Sequence, residues 1–197
     1  MTDESAEFAG LIFDLDGTLV DTAAINQASL TATFAAFGCA AGHDVVHSGS
    51  AFVDRVRLMR EAGLIPPSID DTRLSAECER QILSRIDDVC PLEPVTEIVR
   101  AARGRVRLAL ATSNTRPVAS RLLAAIGLAD TFDVVVTRED VARGKPAPDS
   151  FLRAARLLGL APEQCLVYED SSIGLEAAHT AGMRAVDVRP LIRAAAG

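Results

Sequence analysis

From residue 95 onward the chain alternates short apolar runs with amphipathic stretches. That alternation restricts the fold more than any other feature of its 197 residues. Val106–Ala111, Val134–Val136, Leu166–Tyr168 and Ala185–Val188 read as strands, and Leu11–Phe13 supplies an earlier one. Between them, Val95–Ala102, Pro117–Ile126, Pro148–Leu158 and Ile173–Ala181 carry helical spacing. Strands that are apolar throughout, rather than alternating, are covered on both sides. The pattern predicts an α/β fold: a Rossmann-like parallel sheet with helices on both faces. Helix stops are predicted at Gly63–Leu64, Gly127–Leu128 and Gly159–Leu160, since glycine followed by an apolar residue is a common way to end a helix. Pro117 and Pro148 fall where a first-turn proline is tolerated.

The stretch between the first strand and Pro91 has a different rhythm. Helical spacing is predicted over Thr22–Phe37, Ser50–Ala62 and Asp71–Asp88, the last with Leu74, Cys78, Ile82 and Ile86 at every fourth position. A segment of that length is too long for a structureless loop. The expected organisation is a discontinuous α/β core, residues 1–21 and 91–197, with a small α-helical unit, residues 22–90, inserted after the first strand.

Charge narrows the partners. The net charge is -7, which argues against nucleic acid or an anionic membrane surface, both of which call for a basic stripe. No apolar run reaches the roughly 20 residues that span a bilayer. The acidic N-terminal residues carry no signal-peptide pattern, and Cys39, Cys78, Cys90 and Cys165 show no metal-ligand spacing, so buried thiols in a reducing compartment are expected. A cytoplasmic protein follows, and nothing demands more than a monomer. Lys145 is the sole lysine among 20 basic residues, which invites a chemical reason for it.

Ligands in open α/β sheets bind beyond the carboxyl ends of the strands. Four such positions carry reactive groups: Asp14–Leu15–Asp16–Gly17–Thr18, Thr112–Ser113–Asn114, Gly144–Lys145–Pro146–Ala147–Pro148–Asp149 and Glu169–Asp170–Ser171–Ser172. Each has a plain structural alternative. Asp16–Gly17 could be a hairpin turn, Ser113 a helix N-cap, Lys145 an exposed loop residue, and Glu169, Asp170, Ser171 or Ser172 a cap for the helix at Ile173. The hairpin alternative fits poorly with the helical pattern that follows, and all four segments in this order are hard to explain as caps.

The series resembles the haloacid-dehalogenase superfamily of phosphatases over essentially the whole chain, with matches to its four sequence motifs. Gly144–Asp149 and Glu169–Gly182 are most similar to the β-phosphoglucomutase and sugar-phosphate phosphatase branch, and Ala185–Arg189 resembles the tail of small fructose-1-phosphate phosphatases. The resemblance implies that Asp14 is the nucleophile and Asp16 the general acid and base, with Ser113, Asn114 and Lys145 holding phosphate oxygens. It implies a Mg²⁺ cofactor on Asp14, Asp170 and the main-chain carbonyl of Asp16, with Glu169 in or just behind that shell. The helical unit would be a cap that selects the substrate, a small phosphorylated metabolite such as a hexose phosphate, through Asn26, Ser48 and Gly49.

Asp16 favours phosphate esters, because the dehalogenases and phosphonate-cleaving members lack that residue. The mutases have histidine at the place of Asn26, and lysine and arginine at those of Ser48 and Phe52. Losing those cations favours hydrolysis over phosphomutase activity, although Arg55 or Arg57 could substitute. A catalytically idle phosphate-binding module is the remaining alternative.

Overall fold

The computed structural model describes residues 7–39 and 52–195. Five parallel strands form the main sheet: β1 (Gly10–Phe13), β4 (Arg107–Ala111), β5 (Val134–Val136), β6 (Cys165–Glu169) and β7 (Arg184–Asp187), in the order β5-β4-β1-β6-β7. β1 lies centrally, with Phe13 opposite Leu110 on one side and Tyr168 on the other. The α/β architecture expected from the alternation is the one observed.

Strand residues divide between two faces by parity, as the pleat requires. Leu11, Phe13, Leu108, Leu110, Leu166 and Tyr168 face one core with residues of α4 (Glu93–Ala102) and α5 (Arg116–Ala125). Ile12, Ala109, Ala111, Cys165 and Val167 face the other, against α6 (Asp149–Leu158) and α7 (Ser172–Thr180). The rings of Phe13 and Tyr168 stack with centroids 4.7 Å apart. The Gly-Leu stops are present at all three predicted places; at Gly127, for example, Leu128 N–H reaches back to the Leu123 carbonyl at 2.8 Å.

Among the described residues the first helical stretch contains α1 (Ala23–Ala36), α2 (Phe52–Glu61) and α3 (Asp71–Leu83). Leu30, Phe34, Val56, Met59, Ile65 and Leu74 give it a core of its own. Its two ends pack elsewhere: Ile25 and Ile86 belong to the sheet's core. The predicted helix over Asp71–Asp88 stops at Leu83, and Ile86–Asp88 forms a separate 3₁₀ turn.

Two further elements depart from the expectation. β2 (Val20–Asp21) and β3 (Cys90–Pro91) form a two-stranded antiparallel ribbon where the chain leaves and re-enters the α/β part. After β7, Arg189–Ala195 forms a helix, α8. Among the described residues no helix is long and apolar enough to cross a membrane.

Candidate active site

β1 ends at Phe13, and the next residue is pinned to the sheet: Asp14 N–H donates to the Tyr168 carbonyl at 3.0 Å. The chain then turns tightly, with Leu19 and Val20 both bonded to the Leu15 carbonyl. Gly17 takes φ +75, and a Cβ there would overlap the Asp170 carboxylate. The turn therefore requires glycine on two counts, backbone sign and space. It leaves Asp14 pointing into the sheet end and Asp16 facing the helical segment.

Around Asp14 the groups are charged and buried. Lys145 Nζ donates to Asp14 Oδ1 and to Glu169 Oε2, both at 2.6 Å, and lies 4.9 Å from the centre of the Phe151 ring. Lys145 is 6% exposed, so the loop-surface alternative for it fails. Glu169 accepts from Ser171 N–H and Ser171 Oγ, each at 2.9 Å. Ser171 is also the cap of α7, accepting from Gly174 N–H at 3.1 Å. Gly174 leaves the room Glu169 occupies, because a Cβ at that position would overlap its carboxylate.

Among the described residues Lys145 bonds two of the three acids here, Asp14 and Glu169, and Asp170 stands beside them. Carboxylate oxygens of Asp14, Glu169 and Asp170 lie within 4.8 Å of one another. Burial, then Glu169, pushes the Asp14 carboxyl well above the usual range, and Lys145 only partly offsets this. Burial acts on Glu169 in the same sense, but Lys145 and the Ser171 donors outweigh it and hold Glu169 below its ordinary value. Lys145, despite burial, is held above its usual range by Asp14 and Glu169. Asp170, with Thr18 Oγ1 donating at 3.3 Å, is pushed up to about 6 by burial and then by Glu169. Its folded value lies above its unfolded one. The stability it contributes is therefore full below the ordinary carboxylate value and is lost as pH rises through about 6. A further hard cation on these oxygens would offset that loss, so the donor set fits an oxygen-liganded divalent ion.

Asp16 is held differently. Its Oδ1 accepts from Thr22 Oγ1 at 2.6 Å and Asn26 Nδ2 at 3.1 Å, and its Oδ2 accepts from Asn114 Nδ2. Asn26 also donates to Thr22 Oγ1 at 3.1 Å. Asn26 and Asn114, expected at the substrate, are thus brought to the second aspartate. Ser113, beside them, is half-buried and makes no side-chain hydrogen bond among the described residues. It is not the cap of α5, a position taken by Thr115. Arg55 on α2 is half-buried; burial holds its guanidinium below the usual range, against the pull of Cys78 and Asp16. Ser48 and Gly49 lie outside the described residues.

Thr22 carries a part of the site outside the quoted motif stretches, whereas Thr18 and Gly174 lie inside them, one donating to Asp170 and the other making room for Glu169. Thr22 reads as the start of a helix, and only its spacing of six from Asp16 hints at a second use.

Comparisons with known proteins identify the family. A family model described as haloacid dehalogenase-like hydrolase matches residues 8–182. Fructose-1-phosphate phosphatase YqaB of Escherichia coli (strain K12) is 37% identical over 191 residues, covering 93% of this chain and 98% of that protein. A phosphorylated carbohydrates phosphatase of Thermotoga maritima is 29% identical over 180 residues, covering 89% of this chain and 82% of the relative. Among solved structures, CbbY from Rhodobacter sphaeroides in complex with xylulose-1,5-bisphosphate superimposes with a TM-score of 0.80 at 26% identity, over 90% of this chain and 84% of that one.

Proposed function

The chain belongs to the haloacid dehalogenase-like hydrolases, and within that family we propose that it is a phosphatase for a small sugar phosphate, working through an aspartyl-phosphate on Asp14. The observation that carries this reading is the division of labour between two carboxylates two residues apart. Asp14 sits in a buried charged cluster with Lys145, Glu169 and Asp170, while Asp16 is held by neutral donors.

In the first step an Asp14 oxygen bonds to phosphorus as the ester P–O bond breaks, and Asp16 gives its proton to the departing oxygen. In the second, Asp16 takes a proton from water as that water attacks phosphorus. The Asp14–phosphate bond breaks, and inorganic phosphate and free Asp14 result. Lys145 and Ser113 hold the transferring oxygens, and preorganised donors of this kind contribute about 3–4 kcal/mol each. Asn114 keeps Asp16 in line. Mg²⁺ would be held by Asp14, Asp170 and the main-chain carbonyl of Asp16, with Glu169 behind, and would supply charge neutralisation for a carboxylate meeting a phosphate dianion.

The name and near-complete coverage of the Escherichia coli relative support a hexose phosphate as substrate. By the family resemblance, Asn26 and Phe52 fall where the mutases have histidine and arginine, which supports hydrolysis over transfer within the sugar. Helices α1–α3 serve as the cap that closes over the leaving group. The test is phosphate release from a panel of phosphorylated metabolites with Mg²⁺ and with a chelator, alongside the thermal midpoint in both conditions. Chelator-sensitive release favouring hexose phosphates, with a midpoint raised by Mg²⁺, is expected. Movement of phosphate between positions of glucose phosphate without release would overturn the hydrolase reading.

A further inference from the structure

Thr115 occupies the N-cap of α5 with extended backbone angles, φ -68 and ψ 156, yet its side chain caps nothing. In that position a threonine oxygen ordinarily accepts from the helix's first turn, a bond worth about 1 kcal/mol. Instead Thr115 Oγ1 donates to Glu79 Oε2 at 2.5 Å, from the α/β part to α3, across 36 residues of sequence. The cap is forgone in favour of a bond to a carboxylate, the stronger kind of hydrogen bond. Part of the loss is made up by Glu139, which accepts from Arg116 N–H at 3.0 Å.

The next residue back is Asn114, whose side-chain amide reaches Asp16. Its main chain is already fixed on both sides: N–H to Thr112 Oγ1 at 3.1 Å, and carbonyl to Arg138 N–H at 2.9 Å. Thr115 adds a third anchor, and it is the one that comes from the helical segment. On its other oxygen Asp16 takes Thr22 and Asn26, at the start of that same segment. Another tie across this side, Arg121 to Asp87 at 3.5 Å, is exposed on both partners and too weak to orient anything.

We propose that Glu79 and Thr115 form a clasp that seats α3 on the turn after β4, and through Asn114 positions Asp16 for proton transfer to the leaving oxygen. The proposal rests on the hydrolase reading above, and makes Glu79 and Thr115 positioning residues that do not touch the substrate. The acid is then in line only while the helical segment is seated.

The test compares kcat/KM, which reports the phosphoryl-transfer step, on a hexose phosphate and on p-nitrophenyl phosphate, whose leaving group needs no proton. Thr115→Val should lose about tenfold on the hexose phosphate, a misalignment-sized effect, and less than twofold on p-nitrophenyl phosphate. Glu79→Ala should behave likewise, and Thr115→Ser should restore the wild-type ratio. Equal losses on both esters, or no loss, would overturn the clasp. Wild-type protein inert on every ester would instead refute the hydrolase reading. Amide hydrogen exchange then decides the clasp alone: Thr115→Val should speed exchange over residues 112–116, and unchanged exchange there would overturn it.

Discussion

The two ends of the site are built by different means. At the Asp14 end the groups are ionic and buried, with Asp14 7%, Lys145 6% and Glu169 1% exposed, and all come from strand ends and the loop before α6. At the Asp16 end the carboxyl is half-buried and held by neutral amides and a hydroxyl, two of them from the start of the helical segment. A buried ionic network is strong when complete and costly when any member is missing. It suits the part of the reaction common to every phosphate ester. Neutral donors shared between two parts of the molecule can be altered singly at small cost, which suits the end where leaving groups differ.

That contrast can be broken from either side. The largest effect is expected from Asp14→Asn, which should lower turnover by about 10⁴-fold or more on any ester; measurable turnover near wild type would remove Asp14 from the chemistry. Next comes Lys145→Met, which leaves Asp14 and Glu169 facing each other without their cation. A cost of about 3–5 kcal/mol in urea unfolding without added metal is expected, as for other broken buried pairs. Loss below 1 kcal/mol would mean the ionic end is less interdependent than its geometry implies. Asp16→Asn should cost about 10²–10³-fold in kcat/KM on a hexose phosphate and much less on p-nitrophenyl phosphate. An equal loss on both would make Asp16 a structural residue. The smallest effect belongs to Asn26→Ala: Thr22 still holds the same oxygen, so about threefold or less on kcat/KM, with unfolding stability changed by under about 1 kcal/mol.

The ionic end was readable in the sequence and the neutral end only in part, for a physical reason. Asp14, Lys145, Glu169 and Asp170 each follow directly from a strand end or a motif loop, and in a parallel sheet all such ends converge. Asn26 and Asn114 were readable as polar groups near the site, but an amide can donate to substrate or to protein. Nothing local reveals that Asn114 meets a carboxylate 98 residues away. The β2–β3 ribbon is too short to show periodicity, since two residues a side cannot alternate. For α8 a start signal is present: Asp187 accepts from Arg189 N–H at 3.0 Å, and Pro190 stands in the first turn. The Ala-rich tail that follows lacks the apolar spacing that marks the other helices.

The ribbon has a consequence for how such a protein can change. Because Val20–Asp21 pairs with Cys90–Pro91, the polypeptide departs and returns at one spot, and everything in between is a closed loop hung from a two-rung ladder. A loop with adjoining ends can be exchanged for another without rethreading the sheet or moving Asp14, so new substrates are open to this chemistry by grafting rather than by redesign. The graft is not free to be anything, however. Thr22, Asn26 and Glu79 all lie within the loop, so a replacement must bring its own grip on the second aspartate.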